Sequence, residues 1–189
     1  MDLSPADVRD LVAEYEAEEP LAAVEADHVK ILPRTFESGE YGWRDAKWVV
    51  RWYYRRFLGT VPNADRRAAE AAFDENTYED VQRAVTGAAE ARSLEPKLDL
   101  LTEMTGVDVP VASAFLQYLH PGEYVATSAR EWAVLRQAGE VDGAYPEEMS
   151  VGDYEAYLDA CRAVAQRCDC DLWTVYRAVW MGWAETELD

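Results

Sequence analysis

The chain contains little lysine, little cysteine and no long apolar run. Its 18 basic residues face 37 acidic residues, which gives a formal net charge of −19, and lysine occurs only at positions 30, 47 and 97. Three cysteines are an odd number in a chain of 189 residues, which argues against a disulfide framework. We therefore expect reduced thiols.

A membrane or secretory location is not indicated. No stretch approaches the ~20 apolar residues of a membrane span. The N-terminus carries Asp2 and Asp7, where a signal peptide would carry positive charge followed by an apolar segment. The sequence predicts a cytoplasmic protein that does not associate with membranes.

The acidic, lysine-poor and arginine-rich composition is typical of a halophilic cytoplasm. High salt screens charge and promotes precipitation, and a strongly acidic surface counteracts this. An ordinary acidic protein is the alternative interpretation. In both cases the overall field of the protein repels a phosphate backbone.

Helix signals dominate, and no segment alternates as a strand does. Ser4 as a cap and Pro5 in the first turn predict a helix over residues 5–18. The segment 31–42, with its proline and glycines, is predicted to be a loop. Further helices are predicted over residues 43–58, 63–73, 77–88, 95–104, 111–119, 128–138 and 150–167, and from residue 171 onward.

These elements predict an all-α protein of roughly nine or ten helices. We expect one domain over residues 1–189, or two interleaved helical lobes, with a hairpin core at about 94–138. The hairpin is predicted from a glycine placed four residues before a proline. Gly106 can take a positive φ, Val107 and Asp108 complete the turn, and Pro110 suits the first turn of the next helix.

This segment resembles the hairpin of the helix-hairpin-helix DNA glycosylase superfamily, which includes endonuclease III and adenine glycosylase. That family has the pattern Leu-Pro-Gly-hydrophobic-Gly-x-Lys-x-Ala, followed further along the chain by an Asp that begins a helix. Residues 104–112 fit the frame without gaps, and Ser128 takes the place of the Asp. The resemblance covers about forty residues and implies a glycosylase-like fold with DNA as its partner.

The residues that perform chemistry in that family are changed here. Lyase members use the hairpin lysine as an amine nucleophile, and Pro110 has no amine, which excludes Schiff-base chemistry at this position. Ser128 cannot supply the negative charge of the family's Asp. Together with Glu131 it has the pattern of a capping box, so we expect it to cap a helix. Glu123 and Glu131 are the weak candidates for a substitute catalytic carboxylate.

The hairpin itself also departs from the family. Asp108 replaces the second glycine of a turn that offers backbone N–H groups to a DNA phosphate. A carboxylate there would repel the phosphate. We therefore expect the hairpin to serve as a packing device and not as the DNA contact.

A basic and aromatic segment over residues 43–56 contrasts with the acidic chain around it. Arginine can contact phosphates while aromatic rings stack on bases, so this mixture is typical of nucleic-acid binding. The alternative is that the aromatic residues build core and the arginines pair with neighbouring carboxylates. The predicted nucleic-acid-binding residues are Arg44, Lys47, Trp48, Arg51, Trp52 and Arg55.

No motif points to a metal or a cofactor, and we predict neither. Cys161, Cys168 and Cys170 are similar to the start of an iron–sulfur loop, but such a loop needs four thiolates. Phosphate-binding glycine loops, catalytic triad orders, zinc spacings and EF-hand loops do not occur in the sequence. An aromatic stripe in the last helix predicts core packing, or alternatively a dimer interface. Its members are Trp173, Tyr176, Trp180 and Trp183.

Together these features predict a non-catalytic, nucleic-acid-associated protein with a glycosylase-like fold. The expected partner is DNA or a single-stranded nucleic acid. Two alternatives stay open. One is a divergent monofunctional DNA glycosylase that uses another carboxylate, and the other is a protein-interaction module that binds no nucleic acid.

Overall fold

The computed structural model describes residues 2–57 and 61–186, with side-chain burial given as far as residue 183. The described residues form ten helices and no sheet, so the predicted all-α class is confirmed. In chain order the helices are α1 (Pro5–Glu18), α2 (Ala22–Glu37), α3 (Trp43–Arg55), α4 (Asn63–Phe73), α5 (Tyr78–Glu90), α6 (Leu94–Thr102), α7 (Val109–Leu119), α8 (Ala129–Gln137), α9 (Val151–Cys168) and α10 (Leu172–Thr186).

Local capping signals place most helix starts correctly. Ser4 accepts a hydrogen bond from the backbone N–H of Asp7, and the Asp7 carboxylate accepts one from the Ser4 N–H, so α1 begins where predicted. Ser150 and Asp153 form the same reciprocal pair at the start of α9. Each pair satisfies N–H groups that a helix leaves unpaired at its first turn.

The predicted loop over residues 31–42 is wrong in its first half, because α2 continues to Glu37. Pro33 lies inside this helix, where its missing N–H removes one backbone hydrogen bond. Leu32 and Phe36, one turn apart, are both buried. Burial of this apolar face keeps the helix intact through the proline, and the true loop covers only residues 38–42.

Helix α7 lies at the centre of the core. Every residue from Val111 to Leu119 is buried, and the helix packs against α2, α3 and α6. Small side chains such as Ala112 and Ala114 allow neighbouring helices to approach closely. A helix buried on all sides is apolar around its whole circumference, which explains its hydrophobic sequence.

The chain reverses between α6 and α7, as the hairpin pattern predicts. Gly106 has φ +76°, and a Cβ atom built there would lie 2.9 Å from the backbone nitrogen of Phe73 in α4. The Asn76 side chain also holds the turn, because it donates to the Thr105 carbonyl and accepts from the Thr105 N–H. Only glycine fits this combination of positive φ and close backbone approach.

The last helix, α10, packs against the first helix, α1. It also packs along α8 and contacts α9. The predicted core role of its aromatic stripe holds for Tyr176 and Trp180, which are buried, whereas Trp173 and Trp183 are partly exposed. None of the described helices combines the length and apolar character needed to cross a membrane.

Candidate nucleic-acid interface

Helix α3 carries its basic residues and its core residues on different faces. Ala46, Val49 and Val50 are buried and pack into the core. Arg44 and Arg51 lie two turns apart on the exposed side. Gly42 precedes the helix as its N-cap, and its N–H donates to the Asp45 carboxylate at 2.8 Å. The amphipathic period of the sequence therefore decides which side chains face solvent.

The structure brings all six residues of the predicted interface together in one groove of about 350 Å³ between α3 and the start of α2. Leu21 and Val24 supply the opposite side. We call this the α3 groove. It is lined by Leu21, Val24, Arg44, Lys47, Trp48, Arg51, Trp52 and Arg55.

The two tryptophans of the α3 groove have different environments. Trp52 is only 2% exposed, and its indole N–H donates to the Glu25 carboxylate at 2.7 Å. Trp52 forms the floor of the groove and belongs to the core. Its buried ring cannot stack on a base, although the sequence pattern predicts Trp52 to be a nucleic-acid-binding residue. Trp48 is partly exposed, and its ring stacks on His28 with centroids 3.8 Å apart.

Glu70 of α4 and Asp74, which follows that helix, neutralise part of the groove's positive charge. Glu70 lies 3.7 Å from the Nε atoms of both Arg51 and Arg55 and also pairs with Arg66. Asp74 pairs with Lys47. Arg44 forms no ion pair with any residue that the structure describes. The four cations of the groove and Arg66 carry five positive charges, and Glu70 and Asp74 carry two negative charges. The local excess is three positive charges in a protein of net charge −19.

The next arginine along the chain has the opposite environment. Arg56 is 1% exposed and Glu131 is 0% exposed, and their Nη1 and Oε1 atoms lie 2.7 Å apart. The Ser128 hydroxyl donates to the other oxygen of Glu131. Burial by itself lowers the pKa of Arg56, but the charge of Glu131 and the hydroxyl groups of Tyr176 and Tyr53 together outweigh burial, and the pKa is raised overall.

A second buried carboxylate lies close to this pair. Glu25 accepts hydrogen bonds from the hydroxyls of Tyr15 and Tyr176 and from the Trp52 indole. Burial raises the pKa of Glu25, although the hydrogen bonds and the charge of Arg56 act in the opposite direction. We call Glu25, Arg56 and Glu131 the buried charge cluster.

The catalytic candidates are poorly placed for catalysis. Glu131 is enclosed and already paired with Arg56. Ser128 caps α8 by accepting a hydrogen bond from the Arg130 N–H, as expected. The Ser128 hydroxyl in turn donates to the Glu131 carboxylate. The predicted capping box, in which that carboxylate accepts from the Ser128 backbone N–H, therefore does not form. Glu123 is exposed in the turn after α7 and does not line the α3 groove.

The hairpin residues have structural roles. Asp108 is the N-cap of α7, where its carboxylate accepts from the Val111 N–H at 3.0 Å. This bond satisfies an N–H group that an anion would otherwise bind at the helix start. Pro110 lies in the first turn of α7, and Val107 is buried. Binding of a phosphate at this helix start would place it against the Asp108 carboxylate.

The cysteines remain free thiols, and no cluster of potential metal ligands occurs among the described residues. Cys161 is buried, and burial raises the pKa of its thiol to about 12. A protonated, enclosed thiol is a poor nucleophile and a poor metal ligand.

The sequence pattern does not reveal the buried charge cluster. Arg56 and Glu131 are 75 positions apart, and both residue types are usually exposed. One local signal is available. Adjacent residues of a helix point in different directions, so Arg56 faces a different side of α3 from the exposed Arg55.

The chain was compared with protein-family models, with curated proteins and with solved structures, and none of them matches it.

Proposed function

We propose that the protein is a non-catalytic binder of single-stranded nucleic acid, and that the strand lies in the α3 groove. The observation that carries the proposal is the convergence of Arg44, Lys47, Arg51 and Arg55 around the partly exposed Trp48. Cations beside an aromatic ring are the combination that single-strand binding proteins use for the backbone and the bases.

The local charge supports an anionic ligand. The side chains of Arg51 and Arg55 are 44% and 48% exposed, so their guanidinium groups are already accessible to a phosphate in solution. Both share Glu70 with Arg66, and one carboxylate cannot neutralise three arginines. A phosphate entering the groove would therefore meet a net positive field even though the whole protein is acidic.

The shape of the groove favours a single strand. Its volume of about 350 Å³ is at the lower end of the range of small-molecule pockets and suits a single nucleotide. The faces of paired bases are covered by their stacked neighbours in a duplex, whereas an unpaired base can pack against the part of Trp48 that His28 and Trp52 leave exposed. We therefore expect a single strand to bind more tightly than a duplex of the same sequence.

The absence of catalysis is part of the proposal. Pro110 offers no amine, Ser128 offers no charge, and Glu131 is ion-paired inside the protein. The resemblance of residues 104–112 to the glycosylase hairpin thus supports a shared scaffold and not a shared reaction.

Fluorescence anisotropy with a labelled oligothymidylate of about ten nucleotides tests the proposal. The double variant Arg44→Glu/Arg51→Glu should weaken binding at least about tenfold at low salt, because two attractive charges become repulsive. Arg92→Glu/Arg136→Glu changes the net charge equally at exposed positions outside the groove and should have little effect. Equal losses in both double variants would contradict the α3 groove as the binding site.

Salt dependence adds a second measurement. Four cations that each contact a phosphate give a slope of about −3 for the logarithm of affinity against the logarithm of salt concentration. Excision of a base from lesion-containing DNA by the purified protein would contradict the non-catalytic part of the proposal. Lack of binding to any strand at low salt would favour the protein-interaction alternative.

A further inference from the structure

A second cavity lies where the end of α3 and the start of α7 meet the loop that precedes α9. We call it the hairpin pocket, because Asp108, Val109 and Pro110 at the hairpin form one of its walls. It shares no described lining residue with the α3 groove. Its volume of about 630 Å³ is within the range of small-molecule sites, so it has room for a ligand larger than a single side chain.

The charge in the hairpin pocket is entirely negative among its described lining residues. Asp108, Glu147 and Glu148 are exposed in its wall, and none of the three forms an ion pair with a residue that the structure describes. The Oδ1 atom of Asp108 accepts the Val111 N–H, which leaves Oδ2 available. Carboxylates of one sign in the wall of a concave site raise the local concentration of cations.

Tyrosine rings are a second feature of the hairpin pocket that favours a cation. Tyr53 and Tyr54 lie in its wall with ring centroids 5.3 Å apart and ring planes at 87°, so they form a corner. Tyr145 contributes a partly exposed ring from the loop, held by an edge contact with Trp132. The face of an aromatic ring attracts a positive charge. This attraction adds to that of the carboxylates.

The rings and the hairpin carboxylate lie close enough to influence each other. Burial raises the pKa of Tyr54 to about 12, and the Asp108 charge adds to this shift. Burial also raises the pKa of Tyr145, with smaller contributions from Glu131 and Asp108. Both phenol groups therefore stay neutral at neutral pH. A cation in the pocket can contact a ring and the Asp108 carboxylate together.

Apolar side chains complete the wall of the hairpin pocket. Val109 and Pro110 of α7 and Met149 of the loop are partly exposed there. A ligand that alternates ammonium groups with methylene segments matches this mixture, because methylenes pack on apolar atoms while each ammonium group pairs with a carboxylate. A metal ion matches it less well, since the described residues contain no cluster of potential metal ligands.

We propose that the hairpin pocket binds an aliphatic polyamine, with its ammonium groups on Asp108, Glu147 and Glu148 and one of them against the tyrosine rings. A protein segment with neighbouring lysines presents the same groups on aliphatic stems, and experiment separates the two sources. The inference does not depend on the proposed function, because the pocket and the α3 groove have no described lining residue in common.

Calorimetry with spermidine tests the proposal, at low salt, where attraction between charges is screened least. We expect one molecule to bind per chain. Putrescine should bind about fivefold more weakly, because it has one ammonium group fewer. Acetylated trilysine amide carries as many ammonium groups as spermidine and should also bind more weakly, because its bulky peptide backbone must enter the pocket as well. Tighter binding of the peptide would overturn a free polyamine as the ligand.

The loop carboxylates locate the site. Glu147→Gln/Glu148→Gln should weaken spermidine binding at least about tenfold, because two attractive charges are lost. Glu79→Gln/Glu155→Gln is the matched control, since it changes the net charge equally at exposed positions outside the pocket, and it should have little effect. Equal losses in both double variants would show that spermidine only screens the overall negative charge, and the proposal would be overturned.

Two variants of one tyrosine test the contact with the rings. Tyr145→Leu should weaken spermidine binding about threefold, because it removes an aromatic face, whereas Tyr145→Phe keeps the face and should bind as the wild-type protein does. Thermal unfolding shows that each variant is folded, and the exposed loop carboxylates test the pocket even where the leucine variant is not. Wild-type affinity in a folded Tyr145→Leu protein would overturn the role of this ring.

Discussion

Arg55 and Arg56 are neighbours in sequence and have opposite environments. The Arg55 side chain is 48% exposed in the α3 groove, 3.7 Å from a carboxylate that it shares with two other arginines. The Arg56 side chain is 1% exposed and makes a 2.7 Å contact with a carboxylate of its own. The same residue type thus provides an open, incompletely neutralised charge on one face and a closed pair on the other.

This difference separates a binding role from a structural one. An exposed ion pair contributes little to stability, because water and salt screen it. Its charge is correspondingly available to a ligand. A buried pair cannot lose one partner without leaving an uncompensated charge in the core. We therefore expect substitutions in the α3 groove to change binding and substitutions in the buried charge cluster to change folding.

The largest expected effect is that of Glu131→Gln. It leaves the Arg56 guanidinium buried without its counterion and should lower the free energy of unfolding by about 3–5 kcal/mol. Urea denaturation measures this change. Asp159→Asn, which breaks an exposed pair with Arg162, is the control and should cost no more than about 1 kcal/mol.

Replacing both partners sharpens the contrast between the two faces. Arg56→Met/Glu131→Leu removes the charges together and should be less destabilising than Glu131→Gln alone, because no buried charge is left unpaired. A double variant as unstable as the sum of its single variants would show that the pair is not coupled. Arg56 and Glu131 would then not stabilise the core as a pair.

The exposed face of α3 could be predicted from the sequence, whereas the buried contacts of Arg56 could not. Helix α3 and its basic face follow from local periodicity, and the capping pairs at Ser4 and Ser150 involve residues three positions apart. The partner of Arg56 is remote in sequence, so no local pattern reveals it. Trp48 and Trp52 are one turn apart, and only tertiary packing decides that Trp52 becomes core.

Helix α2 shows a second limit. Pro33, Gly39 and Gly42 together indicate a loop. Only Gly39 and Gly42 lie in one, because burial of Leu32 and Phe36 maintains the helix through the proline. The opposite wall of the α3 groove comes from the start of α2, and this wall could not be predicted without the helix.

The next-largest expected effect is a pH dependence of the free energy of unfolding. The raised pKa of Glu25 means that the folded state holds this proton more tightly than the unfolded state. Stability from Glu25 is therefore greatest below pH 4.5, the ordinary value for a glutamate, and declines as pH rises toward the folded-state pKa. The decline is about 1.4 kcal/mol for each unit by which the two pKa values differ.

Glu25→Gln lacks this titration. The stability of the variant relative to the wild-type protein should therefore increase with pH across that window. Urea denaturation at a series of pH values measures it, and Glu18→Gln, at an exposed position, is the control. Parallel pH profiles for Glu25→Gln and the wild-type protein would contradict a raised Glu25 pKa.

The smallest expected effect lies in the α3 groove. Glu70→Gln removes the carboxylate shared by Arg51, Arg55 and Arg66 and should strengthen binding of oligothymidylate about fivefold, which corresponds to about 1 kcal/mol for one charge at contact distance in water. Glu155→Gln makes the same charge change at an exposed position on α9 and should leave affinity unaltered. Weaker binding by Glu70→Gln would argue that Glu70 orders the arginines for the strand.

Photochemical cross-linking locates the surface of the protein on which a bound strand lies. A single strand containing 5-bromouracil is irradiated with the protein, and mass spectrometry of the digested adduct locates the attachment. A strand in the α3 groove should give adducts on Trp48 or its stacked neighbour His28, and these adducts should be lost in Arg44→Glu/Arg51→Glu. Adducts located elsewhere on the chain, or unchanged in that variant, would contradict the assignment of the α3 groove as the nucleic-acid interface.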